Sequence, residues 1–123
     1  MTFQDLLAYK KSFALAMKIF EMTKSFPKEE TYSLTDQIRR SSRSVPVTIA
    51  EAYRKRIYPK NYYSKLTDSD AENSETQVWL AFAFSCQYIS EKFFDELTSE
   101  SQEVGRLINY MILNPEKFGS KKE

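Results

Sequence analysis

With two glycines and four prolines in 123 residues, this chain has few places at which its backbone can reverse. An all-β fold needs a turn roughly every 8–12 residues, so the scarcity argues for long helices joined by few connections. Apolar side chains recurring at steps of three and four then indicate where those helices run.

The first helix is expected over about Asp5 to Ser25. Leu6, Tyr9, Phe13, Ala16 and Phe20 form one stripe, widened by Leu7, Ala14 and Met17 as for a helix touching two neighbours. Pro27 stops it, because proline disfavours helical geometry at the preceding Phe26. A second helix starts at Ser33, whose hydroxyl is a candidate cap, with Asp36 in the first turn. It carries Leu34, Ile38, Ser42, Val45, Ile49 and Tyr53 along one side. Pro46 lies inside it. A mid-helix proline removes one hydrogen bond and crowds the carbonyl four residues back, that of Ser42, so a kink or short break is expected between Arg43 and Pro46.

Pro59 suits the first turn of a third helix. Tyr62, Leu66, Ser69, Asn73 and Thr76 make an unusually polar stripe in its first half, whereas Val78 to Phe84 is apolar on every side. Such a run wraps about twice around the helix axis, more than one bundle core can cover. The fourth helix begins near Ser90 and sets Phe93, Phe94, Leu97, Val104, Leu107, Ile108 and Met111 on a broad face until Asn114-Pro115 ends it. Gly105 inside it costs about 1 kcal/mol against alanine, which predicts the close approach of a neighbouring helix. The expected fold is therefore an all-α, antiparallel up-down-up-down four-helix bundle with its second helix kinked at Pro46. Residues 1–123 read as one domain with a tail frayed from about residue 116.

Net charge is +1, but it is unevenly distributed. Arg39, Arg40, Arg43, Arg54, Lys55, Arg56, Lys60 and Lys65 stand against one acid between residues 37 and 65, and nine acids stand against Lys92 alone between residues 66 and 103. Such a chain is suited to a polyanion, to pairing one half with the other, or to pairing with copies of itself. Tyr58, Tyr62 and Tyr63 interleave with the cations, a mixture that suits phosphates and stacked bases. Complementation of the second helix dipole, with ion pairs to the acidic third and fourth helices, is the plainer account.

The chain has no histidine, the commonest acid/base catalyst and transition-metal ligand, and its two glycines stand apart rather than in a phosphate-cradling loop. Asp68, Asp70, Glu72 and Glu75 scatter around a helix and read as a solvated acidic face rather than a metal site. The lone Cys86 excludes an intramolecular disulfide and reads as a packed thiol in a reducing cytoplasm. No apolar stretch approaches the roughly 20 residues of a membrane span. These readings assign no catalytic residue, no cofactor and no metal. Gln37, Ser41, Ser44, Asn73, Thr76 and Gln77 occupy core-like positions and either hydrogen-bond across the bundle or mark less buried stretches.

Phe3 to Leu6, Lys24 to Glu30, Leu34-Thr35-Asp36-Gln37-Ile38-Arg39-Arg40-Ser41, Ser44-Val45-Pro46 with Ile49-Ala50-Glu51, Glu75-Thr76-Gln77 and Gly105-Arg106 follow one another along nearly the whole chain. In these strings the sequence resembles the small bacterial four-helix-bundle proteins first noticed in intervening sequences of 23S ribosomal RNA genes, a group that includes accessory proteins of diversity-generating retroelements. It departs from them at Ala52, where glycine is common, and at Asn73, where glutamate is common. The resemblance implies a four-helix protomer, often a homopentameric ring, and for the retroelement members a positive surface that engages nucleic acid and a reverse transcriptase. In a ring, Trp79 and Phe82 would face a neighbouring subunit while Leu80 and Phe84 face the core. Two functions are compatible with this reading. One is a non-catalytic oligomer that binds RNA or DNA through Arg39, Arg43, Arg54, Lys55, Arg56 and Lys60; the other is a structural or protein-interaction assembly in which those residues make subunit contacts.

Overall fold

Helices α1 (Leu7–Thr23), α2 (Leu34–Arg54), α3 (Pro59–Ser85) and α4 (Glu91–Leu113) form an all-α four-helix bundle in a computed structural model that describes residues 1–122. Short 3-10 turns stand at Phe3–Asp5, Lys28–Glu30 and Pro115–Phe118. Each helix packs on its chain neighbours, and α1 packs on α4 to close the ring of contacts. Ser41 meets Thr76 and Val45 meets Ser69, so the numbering falls along α3 as it rises along α2.

Local chemistry sets the helix ends. Pro59 opens α3 with a φ already suited to the first turn. The Ser90 hydroxyl caps α4 by accepting from the Phe93 amide at 3.1 Å. The cap of α2 differs from the one expected. Ser33 makes no side-chain bond to the helix; its hydroxyl donates to Glu30 Oε1 at 2.6 Å, and that oxygen accepts from the Leu34 amide at 3.2 Å. A carboxylate therefore sits at the positive end of α2.

Helix α2 runs unbroken through Pro46, so the short break does not form. Val45 and Ile49 are buried on either side of the proline, and the Ser69 hydroxyl of α3 donates to the Val45 carbonyl at 3.0 Å. Packing on both neighbours holds the helix across the missing bond.

The core has two apolar parts. Leu6, Ile49, Tyr53, Leu66, Ile108 and Met111 belong to one, and Leu15, Ile19, Ile38, Leu80 and Leu97 to the other. Between them in sequence, every helix contributes small buried polar residues: Ser12, Ser41 with Ser42, Ser69 with Asn73 and Thr76, and Ser101. The Ser41 and Thr76 hydroxyls lie 2.9 Å apart. Asn73 donates to the Ser101 carbonyl and accepts from the Ser101 hydroxyl, both at 2.9 Å, while Gln77 donates to that hydroxyl at 3.0 Å. Gly105 answers its expectation: a Cβ there would lie 3.3 Å from Asn73 Nδ2. Gln37 and Ser44 stay outside this network, Gln37 accepting from Arg40 and Ser44 donating to its own helix.

Two further expectations are corrected. Leu6 and Ala16 of the expected α1 stripe are buried, but the rest of the buried side is Ala8, Ser12, Leu15, Ile19, Met22 and Thr23, leaving Phe13 and Met17 about half exposed. The segment expected to fray contains the Pro115–Phe118 turn, after which Gly119 takes a left-handed φ of 84° and Ser120 is buried, its amide donating to the Pro115 carbonyl at 2.9 Å. That fold-back brings the end of the chain onto the α2–α3 connection, where a Cβ on Gly119 would lie 3.1 Å from Arg56 Cδ.

Candidate functional site

The six candidate cations fall into two groups separated along α2. Arg39 and Arg43 project toward the end of α1, with their guanidinium carbons 4.8 and 5.2 Å from the Phe20 ring centroid, and Arg39 Nε donates to Thr23 Oγ1 at 2.7 Å. Their positive charge is partly used in holding α1 against α2. Arg54, Lys55, Arg56 and Lys60 stand at the α2–α3 connection, on the order of 20 Å away at 1.5 Å per helical residue. Arg56 is a clamp. It donates to the Tyr53 carbonyl at 2.8 Å, lies 4.1 Å from the Tyr53 ring centroid and supports Gly119.

Arg54, Lys55 and Lys60 are exposed and pair with no acid among the described residues. The folded-back terminus adds to them. Lys122 shares one groove with Tyr58, Pro59 and Lys60, and Lys121 and Lys122 line a second with Tyr63. Lys122 is only loosely held by Glu116, at 3.9 Å with both side chains exposed. Tyr58 and Tyr63 are open to solvent, so two of the three tyrosines expected among the cations can offer a ring face. Tyr62 cannot. It is buried, donates to the Met111 carbonyl at 2.8 Å, and has its phenol pKa pushed up by desolvation. The sequence signal for Lys121 and Lys122 is the lysine cluster of the tail expected to fray from about residue 116.

The acids of α4 are answered mainly by α1. Lys11 bonds Glu103 at 2.6 Å and Lys18 bonds Glu100 at 2.9 Å; these contacts lower the Glu103 pKa and raise that of Lys18. Between α2 and α3, Arg40 meets Glu75 and Lys65 meets Glu51, both at 3.7 Å. Of the cations left without such contacts, Arg54, Lys55, Arg56, Lys60 and Lys121 stand at the connection end of the bundle, while Lys28 and Lys92 stand at the other.

Trp79 and Phe82, the interface candidates, adjoin each other with ring centroids 5.6 Å apart. Phe82 and Val78 are each 52% exposed. Leu80 is in the core as expected, but Phe84 is not: it is 36% exposed and stacks on Phe94 at 4.8 Å, because Ala83 takes the buried position. Cys86 is exposed rather than packed, since it lies at the C-cap of α3 beyond the core. A second apolar surface went unread in the sequence. Tyr9, Phe13 and Met17 of α1 face Pro46 and Val47 of α2 across a groove of about 500 Å³.

The sequence profile of the 23S rRNA-intervening sequence proteins matches residues 4–110, most of the chain's length. The chain belongs to the 23S rRNA-intervening sequence protein family. A crystal structure of a protein of unknown function from the S23 ribosomal protein family of Bacteroides thetaiotaomicron superposes with a TM-score of 0.79 at 25% identity, covering 87% of this chain and 96% of that one. No curated protein matches the sequence. For this 23S rRNA-intervening sequence protein, the matched span includes Arg54, Lys55, Lys60, Trp79 and Phe82 but ends before Lys117, Lys121 and Lys122. Among the described residues, no helix is long and apolar enough to cross a membrane.

Proposed function

We propose that this 23S rRNA-intervening sequence protein is a non-catalytic, cytoplasmic oligomer that binds nucleic acid through the α2–α3 connection end of the bundle. The observation that carries the reading is the gathering of Arg54, Lys55 and Lys60, without acid partners among the described residues, beside Lys121, Lys122 and the open rings of Tyr58 and Tyr63. Lysine and arginine neutralise phosphates with release of counterions, while tyrosine faces accept bases whatever their sequence. Arg39 and Arg43 contribute less, because both are engaged by Phe20.

Oligomerisation is supported by two separate apolar surfaces, one at Val78 and Phe82 and one at Phe13, Met17 and Val47. A surface on one copy can cover a different surface on the next, an arrangement that closes into a ring when the rotation permits. Partner proteins such as a reverse transcriptase would then meet a multivalent basic rim.

The test is binding of a labelled single-stranded RNA across a salt series, with solution mass measured in parallel. Affinity should fall steeply with salt, and reversing Arg54, Lys55 and Lys60 to glutamate should lower low-salt affinity by about tenfold or more with the mass unchanged. Negligible binding at low salt defeats the nucleic-acid reading. A mass that falls on the same charge reversal assigns these cations to subunit contacts instead.

A further inference from the structure

Glu30 is a fixed negative charge in an aromatic recess. Its Oε1 accepts from the Ser33 hydroxyl at 2.6 Å and the Leu34 amide at 3.2 Å, and its Oε2 accepts from the Tyr88 hydroxyl at 2.8 Å. Those donors hold its carboxyl below the ordinary glutamate pKa. All are neutral, and Glu30 has no ion-pair partner among the described residues. The recess beside it, about 370 Å³ and open to solvent, is walled by Tyr32, Gln37, Trp79, Phe82 and Cys86. Tyr32 is 93% exposed and Phe82 52%, so both rings are free to be covered.

The surrounding charges favour a cation. Cys86 caps α3, placing the negative end of a 27-residue helix in the wall. The positive end of α2 is opposite, but Glu30 itself occupies it. Glu29 adjoins Glu30 in the turn, and Glu75 accepts from Trp79 Nε1 at 3.3 Å. Against these acids stand Lys28 in the same turn and Arg40, which is held by Gln37 at 2.7 Å and lies 3.7 Å from Glu75. Arg40 is thus directed to Glu75 and leaves Glu30 without a counter-charge.

We propose that this recess binds an arginine side chain presented by a protein partner, with the guanidinium on Glu30 and its face and stem against Trp79 and Phe82. Arginine suits the site better than lysine, because a planar guanidinium stacks on an aromatic face while donating in its plane to a carboxylate. The recess is on the order of 30 Å along α2 from the connection cations, so this site is independent of the nucleic-acid reading. One element could engage a partner protein while the other end of the bundle holds a polyanion.

Trp79 is the only tryptophan, so its fluorescence reports the recess directly. The full chain is titrated with the blocked tripeptide Ala-Arg-Ala and with its citrulline counterpart, which keeps the shape but carries no charge. A saturable change in Trp79 emission is expected with the arginine peptide, at least about fivefold weaker with citrulline, as for loss of a charge-assisted bond. Glu30→Gln should weaken arginine binding by a similar factor. Because that residue also caps α2, and Phe82 is also placed in a subunit contact, the exposed Tyr32→Ala variant supplies a second measure, with far-ultraviolet dichroism and solution mass confirming that each variant is folded and assembled like the native protein. Equal responses to the two peptides, no saturation by about 10 mM, where a single anchoring contact would already show, or unaltered binding by both folded variants would overturn the proposal.

Discussion

Glu72 on α3 illustrates how one side chain can work against the fold that contains it. Its Oε2 is buried without a hydrogen-bond partner among the described residues, while the Ser69 hydroxyl donates to the Val45 carbonyl of α2 and the Thr76 hydroxyl donates to the Glu72 carbonyl rather than to its carboxylate. Burial raises its carboxyl pKa, Glu75 and Asp68 add to the rise, and Arg40 opposes it. A carboxyl whose folded pKa is raised destabilises the fold when charged, so the penalty is full at neutral pH and is relieved as pH falls through the raised folded value toward the unfolded one, 4.5. Glu72→Gln, which removes the charge from that position, should therefore raise the thermal midpoint at pH 7 by a few degrees. At pH 4 the gain should be nearly gone; calorimetry at the two pH values checks both halves. Glu103 has the opposite sign. Lys11 lowers its pKa, so the stability from that pair is present above the ordinary glutamate value and is lost as pH falls through the depressed one.

At the scale of elements, α3 and α4 approach closely because Gly105 leaves room for the Asn73 amide, whose donor and acceptor are both used on Ser101. Asn73→Ala should cost about 1–2 kcal/mol by removing the acceptor of the Ser101 hydroxyl and a donor to the Ser101 carbonyl, while Gln77 still donates to that hydroxyl. Gly105→Ala gains about 1 kcal/mol of helix propensity but sets a methyl 3.3 Å from Asn73 Nδ2. It should destabilise the native protein and stabilise the Asn73→Ala variant, a change of sign that a double-mutant cycle in urea would reveal. This crossing was legible in the sequence, since a glycine inside a helical pattern calls for close approach, and the polar positions Asn73 and Thr76 stood at core spacing. The buried side of α1 was legible only in part, at Leu6 and Ala16. Leu6, Tyr9, Phe13, Ala16 and Phe20 obey three-and-four spacing, but so do Ala8, Ser12, Leu15, Ile19 and Met22. A helix apolar around most of its circumference satisfies two stripes at once, and only the neighbours decide which is buried. The small residues Ala8 and Ser12 lie on the inner one, where a close helix needs them. The cap of α2 differs for a related reason: Ser33 fits the cap preference, yet a carboxylate three residues earlier accepts its hydroxyl and reaches the first helical amide, that of Leu34, with charge as well as a hydrogen bond.

Across the whole molecule, the buried polar layer divides the apolar core, and the charge pattern distinguishes the two ends of the bundle. The division of charge was visible in the sequence, but its spatial form was not, because pairing depends on which helices become neighbours. Lysines of α1 answer the acids of α4, leaving the α2–α3 connection as the concentrated basic end. Lys121 and Lys122 join that end only because Gly119 turns the chain back over Arg56, a long-range contact that no local pattern encodes. Removing residues 121–123 tests their share of nucleic-acid binding. Ser120 is buried and remains, so the truncated protein should keep its helical content and its solution mass. Each lost phosphate contact to a single strand lowers the salt slope by about 0.7, so deleting two lysines should reduce it by about 1.4 and weaken binding at low salt by several-fold. Combined with reversal of Arg54, Lys55 and Lys60, the deletion should add little further loss, because one basic surface is already disabled. A full second decrement would instead place the terminal lysines on a separate binding surface, since independent contacts contribute additively.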